Sequence, residues 1–152
     1  MLETSSDILD VLETPVLRRL YRYWDGKRGE RGFPARRDID PVEFSYALGQ
    51  VMLLDVLYAP QRFRFRVHGT ILSLRAGYEM TGRMADDLPG PENRAHLIQR
   101  CGHVVATKLP IAIRGDRVID GRRRRYEALW MPLGPDVETI DMIFGGMVYL
   151  DP

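Results

Sequence analysis

Apolar and polar positions alternate from Phe63 to His68, with Phe63, Phe65 and Val67 interleaved with Arg64, Arg66 and His68. Period two predicts a half-buried strand whose apolar face carries the two phenylalanines and Val67, leaving His68 turned away from the core. Gly69-Thr70 stops that strand, Thr70 caps a short turn through Ile71-Leu72, and Gly77 and Thr81-Gly82 end it. Gln50 to Tyr58 is apolar on both parities apart from Asp55, the pattern of a strand inside a sheet. From Pro91 to about Lys108 the period changes to that of a helix, with Leu97, Ile98, Cys101, Val104 and Val105 in one narrow arc centred on Cys101. Three further strands follow, Pro110 to Val118, Arg123 to Leu133 and Thr139 to Leu150, with Asp120-Gly121 as a two-residue hairpin signal.

Ahead of this lies a helical start. Ser5-Ser6-Asp7 can cap a short helix carrying Ile8, Leu9 and Leu12, and Thr14-Pro15 begins a longer one. Val16, Leu17, Leu20, Tyr21 and Trp24 recur in it at helical spacing, with arginines between them. Lys27 to Asp38 reads as a charged surface loop, and Asp40-Pro41-Val42-Glu43 as a capping-box variant opening a helix to Gly49. The expected division is residues 1–40, a helical extension and loop, and residues 41–152, an α+β domain with one antiparallel sheet.

The strand followed by Gly69-Thr70, then G-Y-E-M-T-G-R and Asp86-Asp87-Leu88, resembles a PAS domain. Together with YRYWDGKRG, PARRDIDP and RYEALWMPL, it is similar to a small bacterial family of stand-alone PAS proteins, from about Leu17 to Leu150. The resemblance implies a five-stranded antiparallel sheet of order 2-1-5-4-3 and a sensory or regulatory role. Helices between Pro41 and Pro110 are expected on one face, and the N-terminal helix on the other.

Composition narrows the function. Charges nearly balance, 22 basic against 21 acidic, so no global field draws the chain to nucleic acid or anionic lipid, and neither is expected as a partner. Arg122 to Arg125 lacks the charge surplus a nucleic-acid strip needs and reads as a solvated hairpin tip. The acidic start MLETSSDILD is no signal peptide, and no window has the ~18 apolar residues of a membrane span, so a cytoplasmic location is expected.

Chemistry is sparse. His96 and His103 fall roughly 140–160° from the helix's apolar centre and are expected at the surface. No haem or metal is therefore expected. Cys101, the single cysteine, suits core packing, and the Asn-Cys-Arg-Phe-Leu-Gln type run of flavin photosensors is absent. Glu127 and Asp141 lie in strands whose parities keep them apart, so no paired acid/base site and no enzyme is expected. A pocket for a small apolar ligand is expected from Phe63, Phe65, Val67, Leu97, Cys101, Met142 and Phe144, with Tyr78 and Glu127 as its polar groups.

The other parity of the last two strands carries Ile143, Met147, Tyr149, Tyr126 and Trp130, too apolar to stay wet. The N-terminal helix is the available cover, in cis or exchanged. A homodimer is expected through Leu17, Leu20, Tyr21, Trp24, Trp130 and Tyr149, with a separate signalling protein as the output partner. Two rivals remain: a small-molecule enzyme on a cone-shaped α+β fold, and an assembly module without a ligand.

Overall fold

A computed structural model describes residues 8–151. The proposed cap at Ser5-Ser6-Asp7 lies outside them. A short helix, α1 (Ile8–Val11), leads into α2 (Pro15–Arg28), where Pro15 takes the first helical position after Thr14 as the periodicity predicts. A 3₁₀ stretch from Pro41 to Gln50 replaces the expected α-helix, with a kink at Phe44; Asp40 Oδ1 caps it by accepting the N–H of Val42 at 3.0 Å. Glu43 does not complete a capping box but accepts the Tyr23 hydroxyl at 2.7 Å.

The sheet comprises β1 (Val51–Leu57), β2 (Arg62–His68), β3 (Ile111–Ile119), β4 (Arg122–Leu133) and β5 (Met142–Tyr149), all neighbours antiparallel, in the order β2-β1-β5-β4-β3. The expected order is the observed one. Between β2 and β3 run α3 (Thr70–Ala76), a 3₁₀ turn at Ala85–Asp87 and α4 (Pro91–Thr107). Asp120 and Gly121 both take positive φ, 51° and 74°, which closes the β3–β4 hairpin with the tight two-residue turn that matches strand twist.

Both faces of the sheet are covered, and the glycine pair in β5 shows by what. A Cβ on Gly146 would lie 2.8 Å from Leu17 and 2.9 Å from Leu20 of α2, whereas one on Gly145, facing the other way, would lie 2.6 Å from the Trp130 ring. The register therefore puts Val51, Leu53, Glu127, Leu129, Met142 and Phe144 on the α2 face. Met52, Leu54, Tyr126, Ala128, Trp130, Ile143 and Met147 turn to the α3–α4 side. This reverses the expected assignment of β4 and β5. Both parities of β5 are apolar and both are buried, so alternation defines two faces without saying which helix covers which. The Pro41–Gln50 stretch also belongs to the α2 face, where Phe44 packs on Phe144 with ring centroids 5.1 Å apart.

One irregularity decides the inner surface. Leu54 pairs with Phe65 and Leu53 with Val67, which leaves Arg66 as an extra residue in β2. Such a β-bulge shifts the alternation by one. Val67 then lies on the α2 face, 40% exposed, and His68, opposite Met52, turns inward. The bulge also lets Arg64 and Arg66 both reach Asp55, each at 3.1 Å.

Candidate functional site

The inner face of the sheet, α4 and the segment after α3 line a partly open cavity of about 40 Å³. From the sheet come Met52, Phe65, His68, Arg117, Tyr126, Trp130 and Met147. From α4 come Asn93, His96, Leu97 and Arg100, spaced i, i+3, i+4, i+7 and so on one stripe of the helix. Tyr78 and Leu88 close the remaining side.

The polar lining is unusual. Arg117 Nη2 donates to the Tyr78 hydroxyl at 2.6 Å, and Arg100 Nη1 donates to the Tyr126 hydroxyl. Gly115 leaves the space that the Tyr126 ring fills, with its hydroxyl 3.1 Å from where a Cβ would stand. His68 has only 7% of its side chain exposed, stacks on Tyr78 and accepts the Met80 N–H on Nδ1 at 3.1 Å. A neutral ring accepting on Nδ1 carries its proton on Nε2. Burial is the main influence holding the His68 pKa below its ordinary value; Glu79 opposes it and Arg117 adds to it. Arg117 also lies against the buried Tyr149 hydroxyl, and the buried Trp130 Nε1 has no hydrogen-bond partner among the described residues. No lining residue is an acid.

Of the residues expected in a pocket, Phe65, Leu97 and Tyr78 line this cavity. Phe63 is on the same face, opposite Val56, but beyond its end. Val67 leaves by the bulge, and Met142 and Phe144 by the reversed face assignment. Cys101 is fully buried one turn past Leu97, outside the lining, and burial pushes its thiol up to about 12.

Glu127 has another task. Fully buried on the α2 face, it accepts the N–H of Glu13 at 2.9 Å, the N–H and hydroxyl of Thr14 at 3.0 and 2.7 Å, and Arg114 at 3.1 Å. Burial is the largest single influence on it and opposes charge, but these donors together outweigh burial and hold its pKa below the ordinary value. Asp141 stands just before β5 while Glu127 pairs with Val148 at its far end, about 20 Å away by strand rise.

Leu17, Leu20, Tyr21 and Trp24 are buried against their own sheet, and the Trp24 indole donates to Pro132 O at 3.0 Å. Trp130 and Tyr149 are on the opposite face from that helix, so the six residues expected to form one contact do not form a single surface.

Sequence reasoning missed His68, Asn93, His96, Arg100, Arg117 and Tyr126. The 93-96-97-100 spacing was available as a signal, a polar stripe beside the apolar arc. His96, expected at the surface, belongs to that stripe; His103 does not line the cavity.

The PAS domain sequence profile matches residues 12–148. The chain belongs to the PAS domain family. No curated protein matches the sequence. Solved structures show the same PAS fold: the PAS domain of Bordetella pertussis BvgS is 16% identical with a TM-score of 0.58, over 75% of this chain and 89% of that one. A light-oxygen-voltage domain, described with a flavin analogue, is 13% identical with a TM-score of 0.56, over 72% and 83%. VqmA bound to DPO is 15% identical with a TM-score of 0.56, over 72% of this chain and 56% of that one. Among the described residues of this PAS domain, no helix is long and apolar enough to cross a membrane.

Proposed function

We propose that this chain is a cytoplasmic, non-enzymatic sensory module that takes a small molecule into the cavity between the sheet and α4 and signals by protein contact. The observation that carries this reading is the cavity itself, walled by α4 and lined by polar side chains, among them Trp130, whose buried Nε1 lacks a partner. VqmA, described as bound to DPO, offers a precedent for a small molecule on this fold. Against catalysis stands the distribution of acids: Glu127 is saturated with structural donors, and Asp141 is at the other end of the strand.

Flavin does not fit these residues. A cavity of about 40 Å³ holds a few waters rather than three fused rings, and the single thiol is outside its lining. Contact with a partner, including a second copy, is read as using exposed surface, because pairing through α2 would require copies to exchange the whole helix.

Native mass spectrometry of the intact chain tests the reading. A discrete small-molecule adduct is expected after incubation with cell extract, and its loss in Met147→Trp, which fills the cavity. A bare chain mass throughout would sink it.

A further inference from the structure

We propose that His68 is a proton-operated latch on this cavity. As a neutral ring it holds the arch of residues 78–81 against the cavity's mouth, and as an imidazolium it lets the arch go. The inference rests on the sensory reading and adds what regulates access to the site.

Three contacts of the arch converge on His68. The Met80 N–H donates to its Nδ1 at 3.1 Å, its own N–H donates to Thr81 Oγ1 at 3.2 Å, and the Tyr78 ring stacks on the imidazole with centroids 6.3 Å apart. Gly77 and Gly82 bracket the arch, each with φ 84°, a backbone glycine adopts without strain. Past it, Gly82 donates to Phe65 O at 2.7 Å and Phe65 donates to Arg83 O at 2.8 Å, which stitches the downstream end to β2. Tyr78 lines both the cavity and an outer groove of about 230 Å³, as do Asn93 and Arg117. The arch and its Tyr78–Arg117 hydrogen bond therefore separate the two spaces.

A proton on Nδ1 turns an acceptor into a donor. The Met80 N–H then faces another N–H and loses its partner. Glu79 Oε1, half-exposed and 3.8 Å from Nδ1, is the carboxylate beside the new donor. It now accepts the Thr81 N–H at 2.8 Å, so turning to the imidazolium re-seats the arch at both Met80 and Thr81. The other charged and titratable groups offer no such exchange. Arg117 from β3 opposes a second positive charge, and His96 and Arg100 from α4 bring no acid to the cavity. Arg66, on the same strand, is turned to Asp55, and Met52 and Phe65 carry no charge. Burial keeps the ring neutral near neutrality, so the arch is held there and released as pH falls below 6.5.

Amide hydrogen exchange by NMR on the intact chain, between about pH 8 and pH 5 and corrected for base catalysis, is the test. Protection of the Met80 N–H should fall at least about ten-fold more than that of Leu54, fully buried in β1, and should follow the His68 titration. Dissolved oxygen should at the same time relax the Met147 methyl, on the cavity wall, more strongly. His68→Gln, whose amide oxygen can accept the Met80 N–H at every pH, should abolish both changes. Glu79→Gln should move them to lower pH, because Glu79 favours the proton, and His96→Gln should leave them in place. Thermal melts confirm folding, and if His68→Gln fails to fold, the shift in the half-exposed Glu79→Gln decides. Equal loss of protection at Met80 and Leu54 would mean general acid unfolding and overturn the latch. So would an unchanged Met80 or Met147 while His68 titrates, or a response that survives in His68→Gln. No guest is needed here, so failure of the latch leaves small-molecule sensing intact, and a bare chain in the mass spectrum leaves the latch intact.

Discussion

Thr14 and Glu127 are 113 residues apart in the chain, yet the hydroxyl of the first donates to the carboxylate of the second at 2.7 Å. The bond joins the start of α2 to the middle of β4, so a buried acid in the sheet sets where the N-terminal helix begins. Glu127→Ala would leave the N–H groups of Glu13 and Thr14 without their acceptor and Arg114 without its buried partner. It should cost about 3 kcal/mol, read as a lower urea midpoint.

The same carboxylate gives an acid-side dependence. Its folded pKa is below its ordinary value of 4.5, so its contribution is complete above that value and is lost as pH falls through the folded one. Glu127→Gln should flatten the acid limb of the stability curve, measured by denaturant titration at successive pH values.

His68 acts nearer neutrality. Its folded pKa lies below 6.5, so the unfolded chain takes up a proton that the native state refuses. Stability should therefore decline as pH falls below 6.5 and level off below the folded value. His68→Gln should remove that decline in melting temperature, and an imidazole NMR titration should report the depressed pKa directly.

Leu20 separates a core helix from a surface one. It is fully buried on its own sheet, beside Gly146. Leu20→Asp should cost about 4 kcal/mol or more and unfold the chain. Circular dichroism that stays native while light scattering shows only a change of assembly would place the helix on an exchangeable surface instead.

The purified chain should be colourless. Added flavin should produce neither a bound absorption spectrum nor a melting shift, because the cavity is too small for it.

Much of the fold is legible in the sequence because its signals are local. The switch from period two to helical period after Pro91, the Asp120-Gly121 turn and Thr14-Pro15 each act within a few residues, and the elements appear where they point. The site is less legible because it depends on non-local choices. Met142 and Ile143 are equally apolar, and only the packing of α2 against Gly146 decides which of them faces it. Arg117 and Tyr126 come onto one face only through the pairing of β3 with β4, and Glu127, which reads as a pocket acid, is claimed by Thr14. Strict alternation turns His68 outward because it carries no mark of the extra residue before it.

That extra residue behaves like a dislocation in a crystal. On either side of Arg66 the strand is regular, but the two parts are out of phase by one. A chain lacking Arg66 would keep Phe65 opposite Leu54 and His68 opposite Met52, and would lose only one of the two guanidinium groups beside Asp55. Length at this point is therefore decoupled from the inward-facing order of side chains. Relatives one residue shorter here can be aligned by opening the gap at Arg66 rather than by sliding the strand.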